Sequence, residues 1–329
     1  MEVLKDRYHR IHNYLRISLT DKCNLRCSYC MPEQVQFMPS KKLMLADEIF
    51  KLAQLFVHEF GINKIRITGG EPLMRKDAVD IIEQLATLPA QLAITTNGVF
   101  LDKYWPLLES IQLSSINISL DTLDSNKFKQ INKRDDFDRV YQNIEYALNQ
   151  GFNVNINVVL QSGVNEEELL DFIELTKHQK VHVKFIEFMP FSGNDWDRSA
   201  VFTYQEALQI IQDEWGEVIP LESKPNTTSK PYQLPGFMGD FSFVSTVSSH
   251  FCGDCNRLRL TADGKLKNCL FGKTETDLLQ ALRHGEDLKS LIIQNVKMKH
   301  QTLGGLSKMD TTQFDPKELS TREMFAIGG

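Results

Sequence analysis

Apolar residues recur along this chain with two periods, and the two alternate. Runs with a two-residue alternation, rich in β-branched residues, fall at 14–20, 64–68, 92–97, 115–121, 152–160 and 181–188. Between them lie stretches with the three-to-four-residue spacing of amphipathic helices, at 45–60, 76–88, 101–110, 137–150 and 166–178. Such succession predicts βα units and a parallel sheet, open or curled on itself.

The alternation within the strands says more. Parallel strands packed under helices on both faces read as almost continuous apolar runs. Here one face is polar: Arg16, Ser18, Thr20; Lys64, Arg66, Thr68; Thr95, Asn97; Asn117, Ser119, Asp121; Asn153, Asn155, Asn157. The opposite face, with Leu15, Ile17, Leu19 and Ile116, Ile118, Leu120, can pack against the helices because side chains alternate across a strand. A complete eight-stranded barrel fills its interior with branched apolar side chains, and unpartnered arginines there would be costly. An antiparallel sheet with one wet face is the alternative, and the helical inserts weigh against it. The pattern predicts an α/β fold: an incomplete (β/α)6 TIM-type barrel whose interior holds a polar ligand.

From about residue 203 the rhythm changes. A helical pattern at 204–215 is followed by "LESKPNTTSKPYQLPGF", which reads as a connection. The Asp263-Gly264 turn then signals a β-hairpin of 257–261 and 265–271, with helices expected at 275–284 and 286–298 and a polar tail ending in Gly328-Gly329. The expected division is 1–220 for the barrel and 221–329 for a C-terminal hairpin and helical module.

Composition adds limits. The chain has 329 residues, 42% hydrophobic and 24% charged, the profile of a soluble globular protein. No apolar run approaches the ~20 residues of a membrane span and no leader opens the chain, which predicts a cytoplasmic protein without a membrane partner. The net charge of −6 argues against nucleic acid as a partner.

The cysteines fall as Cys23, Cys27, Cys30 and Cys252, Cys255, Cys269, two triads with none left over. A reducing compartment disfavours disulfides, so both triads read as metal sites. A Cx3Cx2C loop after a strand can wrap one corner of a cubane and leave the last iron open. Zinc completed by a distant histidine is the alternative; the nearest is His12. In the second triad the hairpin places Cys269 roughly opposite Leu258, about 10 Å from Cys255. There His250 could complete a Cys3His zinc site. Arg257 and Arg259 leave one face of the same strand and join Arg16 and Arg66 in a basic interior. That combination predicts a small, highly anionic substrate.

"CNLRCSYC" resembles the cluster loop of the radical S-adenosylmethionine (SAM) superfamily, in which SAM chelates the open iron of a [4Fe-4S] cluster. "RITGGEP" resembles the turn that binds the SAM amino group. The resemblance implies SAM contacts at Tyr29, Gly70, Ser119 and Met189. Over nearly the whole chain, "LRISLTDKCNLRCSYCMP", "KIRITGGEPLMR", "TTNG", "INISLD", "FIEFMP", "FCGDCNRLRLTADGKLKNCLF" and the terminal Gly-Gly resemble the GTP 3',8-cyclase family of molybdenum cofactor biosynthesis. That family implies two [4Fe-4S] clusters, one on each triad, and conversion of GTP to 3',8-cyclo-7,8-dihydro-GTP through a 5'-deoxyadenosyl radical. It implies GTP contacts at Arg16, Arg66, Thr95, Arg257 and Arg259, with Lys64 adding charge and Gly328-Gly329 reaching the site. Asn155 and Lys184 stand where the family's pattern has Lys and Arg. Partners implied are a reductase or flavodoxin-type electron donor, a downstream cyclic pyranopterin monophosphate synthase and a second copy in a homodimer. Other readings are a peptide-modifying radical SAM enzyme with an auxiliary cluster, and a non-catalytic zinc-binding module.

Overall fold

The six expected strands form and pair in sequence order. The computed structural model describes residues 2–32, 34–223, 226–249, 251–306 and 322–328. In it β1 (Tyr14–Ser18), β2 (Lys64–Thr68), β3 (Gln91–Thr96), β4 (Leu113–Ser119), β5 (Val154–Leu160) and β6 (His182–Glu187) lie side by side, each parallel to the next. Connecting them are α1 (Ala46–Phe60), α2 (Ala78–Ala86), α3 (Trp105–Ser110), α4 (Ser125–Asn132), α5 (Phe137–Asn149) and α6 (Leu169–His178).

Local chemistry sets the helix ends. Glu48 accepts from the Leu45 backbone N–H at 2.7 Å to open α1, and Gly61, at φ 69°, closes it in the left-handed conformation. The buried face of α1, Ile49, Leu52, Ala53, Phe56, Val57 and Phe60, packs with Leu15, Ile17, Ile65 and Ile67 in the main core. Apolar strand faces therefore meet the helices, and the polar faces turn the other way. The helix α4 was not expected; it is short and polar, and begins where Asp124 accepts from the Lys127 N–H at 2.7 Å.

The C-terminal third joins the same sheet. After α7 (Tyr204–Trp215) come β7 (Ile219–Pro220), β8 (Lys230–Gln233) and β9 (Asp240–Val244), and β9 runs parallel to β6. The stretch read as a plain connection thus contains β8, whose Pro231 is tolerated toward the sheet's end. At the other edge β10 (Arg257–Leu260) runs parallel to β1, followed by β11 (Lys265–Lys267), β12 (Glu275–Asp277), α8 (Leu278–His284) and α9 (Leu288–Lys297). Among the described residues, twelve strands form one sheet in the order β12-β11-β10-β1-β2-β3-β4-β5-β6-β9-β8-β7. The hairpin's second strand stops at Lys267, well short of the expected 271. The parallel strands from β10 to β9 all contribute side chains to one cavity of about 540 Å³, so the sheet curves round it.

Candidate active site between two thiol triads

The first triad sits at the C-terminal end of β1. Its loop is tied to α4: Arg26 N–H donates to Asn132 C=O at 2.9 Å and Ser28 N–H to Ile131 C=O at 3.1 Å. Cys27 Sγ donates to Asn132 Oδ1 at 2.9 Å, and Asn97 Nδ2 donates to Cys23 Sγ at 3.6 Å. Burial, then the Glu71 charge, pushes the Cys23 thiol up to about 11. Burial, and then the neighbouring Cys30 and Cys23, also raises Cys27. Three soft donors that repel one another once ionised suit a cationic centre.

Gly70 lies directly beneath this loop. A Cβ there would come within 2.5 Å of the Lys22 carbonyl oxygen, and Gly70 N–H already donates to Thr20 C=O at 2.7 Å. The glycine therefore lets two backbones touch where they border the cavity. Tyr29 is buried and donates from its hydroxyl to Asp121 Oδ2 at 2.8 Å. Burial raises Asp121 to about 6 against the opposing bonds from Val159 N–H and Tyr29. Ser119 and Met189 line the same cavity.

The second triad borders the same cavity beside the N-terminal end of β10. Cys252 and Cys255 precede β10, and Cys269 follows β11. Arg259 pairs with Lys267; extending that register brings Cys269 level with Arg257, one residue nearer Cys255 than the sequence suggested. Arg10 Nη1 donates to the Cys252 carbonyl at 2.7 Å, Leu303 N–H to Cys252 Sγ at 3.3 Å and Lys299 Nζ to Cys255 Sγ at 3.4 Å. Burial alone would push the Cys255 thiol up; the Arg257 and Lys299 charges outweigh it and bring it down to about 6. His250, weighed as a fourth ligand, lies outside the described residues.

Between the triads the wall is cationic. Arg16 on β1 pairs directly with Arg66 on β2 and Arg259 on β10, so three guanidinium-bearing strands stand abreast, about 4.8 Å apart. Burial, then the Arg259 charge, holds Arg16 well below the usual arginine range. Burial, then the Arg257 charge, lowers Arg259 to about 10, and burial with Arg66 lowers Lys184 to about 8. Arg66 is fixed: Nε donates to Tyr14 Oη at 2.6 Å, Nη1 to Thr95 Oγ1 at 3.3 Å and Nη2 to Ser115 Oγ at 3.2 Å. With Lys64 and Arg257, six cationic side chains among the described residues line the cavity. Crowded like charges of this kind are relieved by an anionic ligand.

Thr95, Arg257 and Lys184 all border the cavity, whereas Asn155 does not. It pairs with Asn117 and His182, one layer nearer the strand N-termini, and Asn157 faces the cavity instead, level with Lys184. Tyr14 was missed, although it shares the strand face of Arg16. Burial raises its phenol, but the Arg66, Arg16 and Lys64 charges prevail and bring it to about 7. Arg259 Nη1 also donates to the Gly328 carbonyl at 2.7 Å, so the tail does enter the site; Gly329 lies outside the described residues.

The residues present fit iron–sulfur clusters. Each triad offers three thiols beside a shared cavity, the donor count of a cubane that keeps one iron for a small molecule. The fold and the cysteine loop define a radical SAM protein: the Radical SAM superfamily model matches residues 17–176, and the Molybdenum Cofactor Synthesis C model matches 181–304. An iron–sulfur cluster and SAM are the cofactors of that superfamily. "GTP 3',8-cyclase, mitochondrial" of Arabidopsis thaliana is 43% identical, covering 100% of this chain and 84% of that protein. "GTP 3',8-cyclase" of Thermodesulfovibrio yellowstonii is 40% identical over 93% of this chain and 97% of its own. The chain belongs to the GTP 3',8-cyclase family. It is also 46% identical to "Molybdenum cofactor biosynthesis protein 1" of Homo sapiens over 98% of its length, but spans about half of that relative, 51%. The structure of Streptococcus suis SuiB bound to S-adenosylmethionine shares the fold, with a TM-score of 0.62 at 16% identity over 89% of this chain and 67% of that one.

Proposed function

We propose that the chain is a GTP 3',8-cyclase acting at the first step of molybdenum cofactor biosynthesis, in an incomplete (β/α)6 TIM-type barrel over 1–220 whose second [4Fe-4S] cluster is held by the module over 221–329. One observation carries the reading: both thiol triads border a single cavity that, among the described residues, is lined by six cationic side chains. A nucleoside triphosphate matches that charge, and its length suits a site with two reactive centres.

In this reading Cys23, Cys27 and Cys30 hold the SAM-binding cluster, and Tyr29, Gly70, Ser119 and Met189 border SAM. Cys252, Cys255 and Cys269 hold the second cluster, next to which the guanine would lie. When bound, the first cluster and SAM supply the one-electron chemistry that takes the hydrogen from C3' of the ribose, after which a C3'–C8 bond closes the ring. The chain's own residues orient and enclose. Arg16, Arg66, Arg257 and Arg259 grip the triphosphate through forked N–H pairs, with Lys64 and Lys184 adding charge. Thr95 holds Arg66, and Asp121 holds Tyr29. Asn157 takes the cavity position that the resemblance assigned to Asn155. Holding the ribose beside the reacting centre and excluding water are the protein's share of the catalysis.

An external flavodoxin-type or reductase donor, a cytoplasmic setting, a homodimer and hand-over to a cyclic pyranopterin monophosphate synthase belong to the same reading. Among the described residues, no helix is long and apolar enough to cross a membrane. The test is anaerobic incubation of the reconstituted protein with SAM, dithionite and GTP, followed by chromatography and proton NMR of the nucleotide. The reading expects loss of the guanine C8 aromatic proton signal in step with SAM cleavage. Vigorous SAM cleavage with intact GTP would refute it.

A further inference from the structure

The central cavity is bordered by loops and the chain's tail at the C-terminal ends of its strands and adjoins a hollow at their N-terminal ends. On the first side stand the cysteine loop and the chain's tail: α10 (Met324–Ile327) buries Phe325, which packs edge-on to Phe37 at 5.9 Å. Gly328 lies so near Thr68 that a Cβ would fall 2.5 Å from its hydroxyl.

On the opposite side a hollow of about 640 Å³ opens to solvent among the N-terminal ends of β10, β1, β2, β3 and β4. Its wall is built from carboxamides, notably Asn13, Asn63, Gln91 and Gln112. Among the described residues lining it there is no Asp or Glu, although the chain carries a net charge of −6. Tyr14, Lys64, Asn226 and Asn256 border both spaces. Gln91 pairs across the strands with Lys64, whose Nζ lies 5.1 Å from the Tyr14 ring centre. Moving inward, an anion meets neutral amides, then Lys64, then the arginines of β10, β1 and β2. A path without negative charge that grows steadily more positive draws anions inward, and it accelerates their capture more than it tightens their binding.

We propose that this carboxamide-lined vestibule is the entrance for the nucleoside triphosphate, with Lys64 as the first charge it meets. The proposal rests on the GTP reading above. It gives the N-terminal face of the strands a task that barrel enzymes ordinarily leave to the C-terminal face.

The test is stopped-flow association of a fluorescent GTP analogue with the cluster-loaded protein at low salt. Gln91→Glu sets a carboxylate beside Lys64, and Gln91→Lys extends the positive path; Gln142→Glu, exposed on α5, controls for net charge. The entrance predicts association roughly threefold to tenfold slower for Gln91→Glu and faster for Gln91→Lys, both effects shrinking in high salt. SAM binding and iron content should be unchanged in all three. Wild-type association rates in both Gln91 variants, or an equal change in Gln142→Glu, would overturn it. A wild-type protein that takes up no nucleotide would instead remove the GTP reading, and the entrance with it.

Discussion

Arg257 and Arg259 leave the same face of β10, yet they do different things. Arg259 is buried, donates to the Gly328 carbonyl and pairs with Arg16, whereas Arg257 reaches Cys255 Sγ at 3.8 Å. Replacing Arg259 by Ala should weaken GTP binding at least tenfold while iron and sulfide content stay at wild-type levels. Isothermal titration with a metal analysis of the same sample checks this, and an unchanged affinity would refute the assigned role. Gly70 makes a sharper steric case: with 2.5 Å to the Lys22 oxygen, Gly70→Ala forces apart the two backbones beneath the first triad. The expected cost is about 1–3 kcal/mol in a denaturant titration, together with loss of SAM binding. At this scale the cysteines and arginines were legible because their spacing is distinctive. Tyr14 and Asn157 were not: a tyrosine opening a strand and an asparagine among several others carry no local signal, and only the neighbouring strands' charges give them a role. Asn155 lies one layer from Asn157, which lines the cavity, and a motif position does not say which layer a residue occupies.

The elements most readable were those whose periodicity served both packing and the site. The polar faces of β1, β2, β4 and β5 announced an interior that is not an apolar core, and those faces do border the cavity. By contrast β8, β9 and α4 escaped notice. β8 carries a proline, β9 follows a turn-rich stretch, and α4 is too short and polar for its period to stand out. What fixes them is tertiary pairing with β6 and the cysteine loop. The tail shows the same dependence. Arg322 is bonded to Asp263 at 2.7 Å and 2.9 Å and to Glu275 at 2.7 Å from two nitrogens, which seats α10 over the cavity. Arg322→Ala should release this segment: deuterium uptake over 322–328 should rise and GTP affinity fall, with Arg322→Lys recovering part of both. Unchanged uptake would show that the burial of Phe325 and Ile327 holds the tail unaided.

Over the whole molecule, the N-terminal segment braces the second triad. Arg10, bonded to Asp6 at 2.6 Å, reaches the Cys252, His300 and Gln301 carbonyls. Buried His12 lies 3.2 Å from Asp6. Burial, then the Lys299 charge, holds His12 down at about 4 from 6.5. A depressed folded value means that the unfolded chain binds the proton more readily. The stability from His12 is therefore full above pH 6.5 and drains away as the pH falls toward 4, by about 3 kcal/mol in all. Denaturant titrations from pH 7.5 to 4.5 should show this slope, and His12→Gln should flatten it. An equal slope in that variant would place the acid sensitivity elsewhere.

The proposed function joins these parts in one arrangement, a ribose held between a SAM-binding cluster and a cationic wall. The most direct test is an anaerobic turnover with GTP deuterated at C3', followed by mass analysis of the 5'-deoxyadenosine formed. Deuterium carried into 5'-deoxyadenosine would establish that the ribose C3' faces the reacting centre, as the account predicts. 5'-Deoxyadenosine formed in quantity without deuterium, with the labelled GTP recovered intact, would contradict it.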